Sequence, residues 1–214
     1  MADPTPTPAL PTRPGALQSI VEFILELDKL KGVSRKTRPL GLERYENSAE
    51  HSWQIALLAA SLVHHAPKSA DGESAIDLDR VIHMLLVHDI GEIDTGDTMV
   101  YVVGGWEERK AAEREAAERI FGLLPEPQGG HFLALWLEFE EGVSPEARFA
   151  NAVDRAMPVL LNLANDGQSW RENGIAYERV VARVGPEIAA ECPALWRHLE
   201  TRLAAAAADG WFGT

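Results

Sequence analysis

The chain has 214 residues, 46% of them hydrophobic, and 33 Asp and Glu against 20 Lys and Arg, for a formal net charge of -13. That length carries one sizeable core, and so acidic a chain repels a phosphate backbone, which argues against a nucleic-acid polymer as partner. The single cysteine, Cys192, excludes an internal disulfide framework, reads as a packing residue and fits a reducing, cytoplasmic setting.

Five of the thirteen prolines fall in residues 1–15, MADPTPTPALPTRPG, which read as a disordered or extended tail rather than a signal peptide. No stretch approaches the roughly 20 apolar residues of a membrane span. From residue 16 onward the apolar spacing is helical almost everywhere. Leu17, Ile20, Val21, Ile24 and Leu27 predict a buried helix face, ended by Gly32. A basic loop follows, SRKTRPLGLERYENS, and Ser48 marks the N-cap region of the next helix, AEHSWQIALLAASLVHHA. PKSADGESA reads as a loop. Asp77 or Asp79 starts the helix LDRVIHMLLVHDIGE, which Gly91 can end. MVYVV is the one strand-like run. A charged helix spans about Trp106 to Leu124, with Ala112, Ala116 and Ile120 on one face. QGGHFLALWLEFEEG is another helix. Ser144 and Pro145 open a further one, ARFANAVDRAMPVLLNLA, where Pro158 predicts a kink. Two more helices end near Gly210. These spans predict one all-α domain over residues 16–210, a bundle of about seven or eight helices.

Chemistry shows as polar residues on apolar faces. His51 shares a face with Ile55, Leu58 and Leu62; His88 with Val81, Met84 and Leu85; Asp154 with Ala150, Met157 and Leu161. Asp89 follows His88 at its helix end. One inward histidine alone is most simply a hydrogen-bonded core residue, and one inward aspartate a cap or ion-pair residue. Three helices each presenting such a group form a two-imidazole, two-carboxylate set suited to a divalent metal, which makes burial of the carboxylates tolerable. Glu92 lies one turn past His88, and Asp97 follows Gly96 in a loop able to fold back over the site. Asp94 reads as a solvated bystander.

His51, the pair His88-Asp89 and the distant Asp154 match the H…HD…D signature of the HD-domain superfamily. The segments LKGVSRKTR, ENSAEHSWQIALLA, LLVHDIGEIDTGDT and ARFANAVDRAMPVLLN resemble its branch of bacterial 5'-deoxynucleotidases, from about Leu17 to Trp196. The resemblance implies an HD bundle with one divalent ion (Mn, Co, Zn, Fe, Ni or Mg) on His51, His88, Asp89 and Asp154. It implies that Glu92 works beside the activated water, that Asp97 lies near the sugar and leaving oxygen, and that Arg35 binds phosphate. It also implies a small phosphoester substrate, a nucleoside 5'-monophosphate in the first instance, and a homodimer. One position departs from the pattern: Lys36 stands where those enzymes carry a tryptophan near the sugar, so the deoxyribose preference is open. A phosphodiesterase, another small-phosphoester hydrolase and a non-catalytic nucleotide-sensing module are the rival readings. Exposed tryptophans such as Trp136 and Trp170 would offer a dimer surface, though either can equally be core.

Overall fold

The computed structural model describes residues 15–66 and 76–213; residues 1–14 of the proline-rich tail and all of PKSADGESA lie outside them. Ten α-helical segments follow one another among the described residues. They are α1 (Ala16–Leu27), α2 (Ser48–Leu62), α3 (Leu78–Val87), α4 (Glu92–Thr95), α5 (Trp106–Phe121), α6 (Gln128–Glu141), α7 (Pro145–Ala164), α8 (Gln168–Glu172), α9 (Tyr177–Glu191) and α10 (Pro193–Ala208). Short 3₁₀ turns at Asp28–Gly32 and Val63–His65 extend α1 and α2. Two of the ten segments, α4 and α8, are of four and five residues, so eight long helices carry the bundle.

The ends are set by local chemistry. Asn47, one residue earlier than expected, caps α2 through a reciprocal capping box with Glu50, an arrangement worth about 1 kcal/mol. Asp77 caps α3 by accepting from the Arg80 N–H. Ser144 caps α7 with Pro145 in the first turn. α7 continues through Pro158 to Ala164. It is the central helix and packs on α2, α3, α6, α8, α9 and α10. Its buried Ala147, Ala150, Ala152 and Ala156 keep that surface flat enough for several neighbours to approach, while Phe149, Val153 and Leu161 fill the gaps.

Four expectations are corrected. In α1 only Phe23 is buried; Leu17, Val21 and Ile24 are exposed, because the helix rests mainly on the Asp28–Gly32 turn and α5. MVYVV forms no strand: it lies in the α4–α5 loop, where side chains rather than a neighbouring strand take its carbonyls. The helix holding His88 ends at Val87, so His88 is its cap and Asp89 begins a turn. Trp136 and Trp170 are core residues, which removes them as a dimer surface. Cys192 is buried, as expected of a packing residue, and burial raises its thiol to about 11.

Candidate metal centre and active site

Three helices converge on one point. His51 comes from the first turn of α2, His88 from the end of α3 and Asp154 from the middle of α7. Their donor atoms lie within 4.8 Å of one another. His51 Nε2 is 2.8 Å and His88 Nε2 3.7 Å from Asp154 Oδ1. Asp89 stands at the edge of this trio, with Oδ1 2.9 Å from His88 Nε2 and Oδ2 accepting from Arg35 Nη1 at 2.8 Å. Both histidines are buried, whereas the other five are exposed.

The second layer fixes ring orientation. His88 Nδ1 is 2.8 Å from the Leu85 carbonyl; as donor there it leaves the Nε2 lone pair for a ligand. The buried His88 Nε2 makes no aligned hydrogen bond, although Asp89 Oδ1 lies 2.9 Å away. Trp136 Nε1 donates to the His88 carbonyl at 2.9 Å and ties the turn to α6. Behind His51, the buried Glu46 carboxylate sits 3.8 Å from the otherwise unpartnered Nδ1. Thr37 Oγ1 donates to that carboxylate at 2.9 Å. Two imidazoles and a carboxylate whose donor atoms converge in this way fit a divalent metal.

The electrostatics say the same. Burial alone would depress the His88 imidazolium, but Asp89 and Asp154 outweigh it and hold its pKa well above the usual histidine value. Burial opposes ionisation of Asp154, yet His51 and His88 bring its pKa well below normal. His51 itself is lowered by burial and by Arg35. The carboxylates here demand positive charge, and a divalent cation supplies it with neutral imidazoles.

Beyond the trio, one cavity of about 760 Å³ is lined by His88, Asp89, Glu92, Asp97, Arg35 and Asp154, all but His51 of the residues expected at the site. Burial and the Asp89 charge push Glu92 up to about 9, and Ser48 Oγ donates to its Oε2 at 2.6 Å. Burial also raises Asp97, whose Oδ1 is 3.5 Å from Arg35 Nη1. Gly91 makes this crowding possible, since a Cβ there would meet the backbone oxygen of Glu113 at 2.7 Å. Gly96 turns the chain at φ +76° and sends Asp97 back toward the cleft. Asp94 pairs instead with Arg119 of α5, away from the site. Arg38 pairs with Glu43 and Glu172, and Arg44 with Glu50, so these arginines hold loops. Lys36 lines the cavity.

Sequence reasoning passed over Glu46 and Ser48 in its contact with Glu92. A loop glutamate reads as solvated. Its burial comes from backbone pairing of Arg35 N–H with the Glu46 carbonyl and of Glu46 N–H with the Thr37 carbonyl, at 2.9 Å each.

The model of the HD domain family matches residues 27–196. The human 5'-deoxynucleotidase HDDC2 is 28% identical over 144 residues, 67% of this chain and 66% of that protein. The 5'-deoxynucleotidase hdd1 of Schizosaccharomyces pombe is 27% identical over 142 residues, 64% of this chain and 67% of that protein. The match thus spans about two thirds of these relatives. A crystal structure described as a predicted metal-dependent phosphohydrolase from Magnetospirillum magnetotacticum MS-1 superposes with a TM-score of 0.84 at 36% identity, covering 94% of this chain and all of that one. With four-fifths of its length inside the family match, the chain belongs to the HD domain family.

Proposed function

We propose that this protein is a metal-dependent phosphohydrolase that removes the 5'-phosphate of nucleoside and deoxynucleoside monophosphates. The observation that carries the reading is the cluster of His51, His88 and Asp154 donors, of which His88 and Asp154 line the same cavity as Glu92, Asp97 and Arg35. The names of the similar proteins support it.

His51, His88 and Asp154 would hold one divalent ion, with Asp89 as the fourth ligand. Such an ion supplies Lewis-acid polarisation of the phosphoryl group and acidifies water. Arg35 clamps the phosphate: it is nearly buried, and its contacts with Asp89 and Asp97 hold the guanidinium fork in place. Glu92 in its carboxylate form takes the proton of the attacking water, with Ser48 fixing its orientation. A divalent charge opposes both causes of the raised Glu92 pKa. Asp97, raised by burial, is suited to carry a proton to the leaving 5'-oxygen. Lys36 at the cavity wall, in place of an aromatic residue, argues for weak discrimination against ribose.

A reducing, cytoplasmic setting is in keeping with the lone cysteine. A homodimer is supported by exposed apolar side chains on α1 and α2, Leu17, Ile24, Leu25, Trp53 and Leu57. No helix among the described residues is long and apolar enough to cross a membrane.

The test is phosphate release from ribo- and deoxyribonucleoside monophosphates by chelator-stripped protein resupplied with Mn, Co, Zn or Mg in turn. Release with at least one metal, lost in Glu92→Ala while metal content is kept, is the expected result. No release under any condition would favour a nucleotide-sensing module, and cyclic nucleotides in the same panel probe diesterase activity.

A further inference from the structure

The segment that carries Asp97 back over the cavity has few anchors of its own. Thr98, Met99, Val100 and Tyr101 line the cavity after it. Among the described residues this stretch makes one backbone hydrogen bond, from the Val102 N–H to the Met99 carbonyl at 3.0 Å. Gly96 precedes it at φ +76°, and Gly104 and Gly105 follow at +79° and +69°. Met99 and Tyr101 rest on the core, but apolar contact is non-directional and does not by itself fix where a nearby carboxylate points.

Direction comes from α9. Arg183 Nε donates to the Val100 carbonyl at 3.3 Å, and Arg179, one helical turn earlier, donates to the next carbonyl, that of Tyr101. Hydrogen bonds from a charged donor are the stronger kind, and two on consecutive peptides hold the backbone at successive points. Arg183 is itself held: Glu187 Oε1 lies 3.7 Å from its Nη1, and the other Glu187 oxygen is paired with Arg155 Nε. Arg155 is the neighbour of Asp154 on α7. The contacts therefore run from the central helix, through α9, to the backbone three residues after Asp97. Other cavity cations end elsewhere, Lys110 on Glu140 and Arg148 on Glu191 and the Val143 carbonyl.

We propose that Arg183, together with Arg179, is a positioning residue: the pair clamps two successive carbonyls of the loop and so holds Asp97 at the leaving oxygen of the substrate. The proposal rests on the hydrolase reading above. In that reaction the water oxygen bonds to phosphorus and yields its proton to Glu92, while the bond from phosphorus to the 5'-oxygen breaks and that oxygen takes the proton of Asp97. A displaced Asp97 slows departure of a basic alkoxide and leaves untouched the departure of a group that is stable as its anion.

The experiment compares full-length wild type, Arg183→Met, Arg183→Lys and Arg179→Met, loaded with the metal that supports release. The substrates are thymidine 5'-monophosphate and its analogue with sulfur in place of the 5'-oxygen, from which a thiolate leaves without needing a proton. Arg183→Met should lower kcat on the oxygen substrate about 10- to 100-fold with KM within about twofold, and on the sulfur analogue by less than about threefold. Arg183→Lys should recover part of the loss. Arg179→Met should act in the same direction and serves if Arg183→Met fails to fold. Hydrogen–deuterium exchange of metal-free protein should show residues 98–103 exchanging about threefold or more faster in both methionine variants. Equal losses on both substrates, a change confined to KM, or unchanged exchange in the loop overturns the proposal. Absence of phosphate release from metal-loaded wild type overturns the hydrolase reading and with it the role of Asp97, and the exchange difference separates that failure from failure of the clamp.

Discussion

Replacing Gly91 with alanine places a Cβ 2.7 Å from the Glu113 backbone oxygen and 3.2 Å from its Cα and carbonyl carbon. An ordinary contact begins at 3.4 Å, so the new atom intrudes by about 0.7 Å. The atoms it meets are helix backbone, and no side-chain rotation can relieve the overlap. Either α5 backs away or the turn from His88 to Gly91 shifts. Overpacking of this kind costs about 1–3 kcal/mol. The same turn holds Asp89 on one side and leads into Glu92 on the other, and misplacement by about 1 Å can lower a rate about 10²-fold. Urea unfolding of metal-free protein measures the first effect, and phosphate release after metal loading measures the second. Gly32 is the matched control. Nothing lies within 4 Å of a Cβ there and its φ is not positive, so Gly32→Ala should be neutral or stabilising by up to about 1 kcal/mol. If Gly91→Ala proves as stable and as active as Gly32→Ala, the close approach of the turn to α5 is not what positions the site.

Glu46→Gln should weaken metal binding about 10- to 100-fold by loosening the support behind His51; a competitive chelator titration reads this, and an unchanged affinity would remove Glu46 from the metal centre. Ser48→Ala frees the Glu92 carboxyl from its 2.6 Å contact and should lower kcat about tenfold with KM nearly constant; a change confined to KM would contradict a positioning role. Burial, aided by Glu140, raises Glu113 to about 7. A carboxyl whose folded pKa exceeds its unfolded value near 4.5 binds more protons when folded, so it favours folding at low pH and loses that contribution as pH rises toward 7. Melting of chelator-treated Glu113→Gln should therefore match wild type near pH 4 and exceed it at pH 8 by about 1–2 kcal/mol, after discounting for partial exposure; equal pH profiles would refute the burial assignment.

The trio of His51, His88 and Asp154 was legible because helical periodicity put them in stripes that are otherwise apolar, and the fold buries those stripes. The carboxylates Glu92 and Asp97 were legible by closeness in sequence to His88 and Asp89. Glu46 was not, because it acquires its place from a distant segment, by pairing with the Arg35–Thr37 stretch of loop. The α1 face misled for a related reason. Its apolar residues have helical spacing, but the bundle offers contacts only along the Phe23 side. MVYVV has strand composition, yet arginine side chains from α9 reach two of its carbonyls before any strand could.

The centre joins residues far apart in synthesis order. His51, His88 and Asp89 are all translated before Asp154, which follows Asp89 by 65 positions. At about 5–20 residues per second, a ribosome needs about 3–13 s to cover that gap. During it, α2 and α3 can pair but offer only His51, His88 and Asp89, without the opposing carboxylate of α7. Loading of the proposed ion would thereby be deferred until the central helix has emerged and docked, and the ion would be taken up by a nearly finished fold rather than recruited to nucleate one.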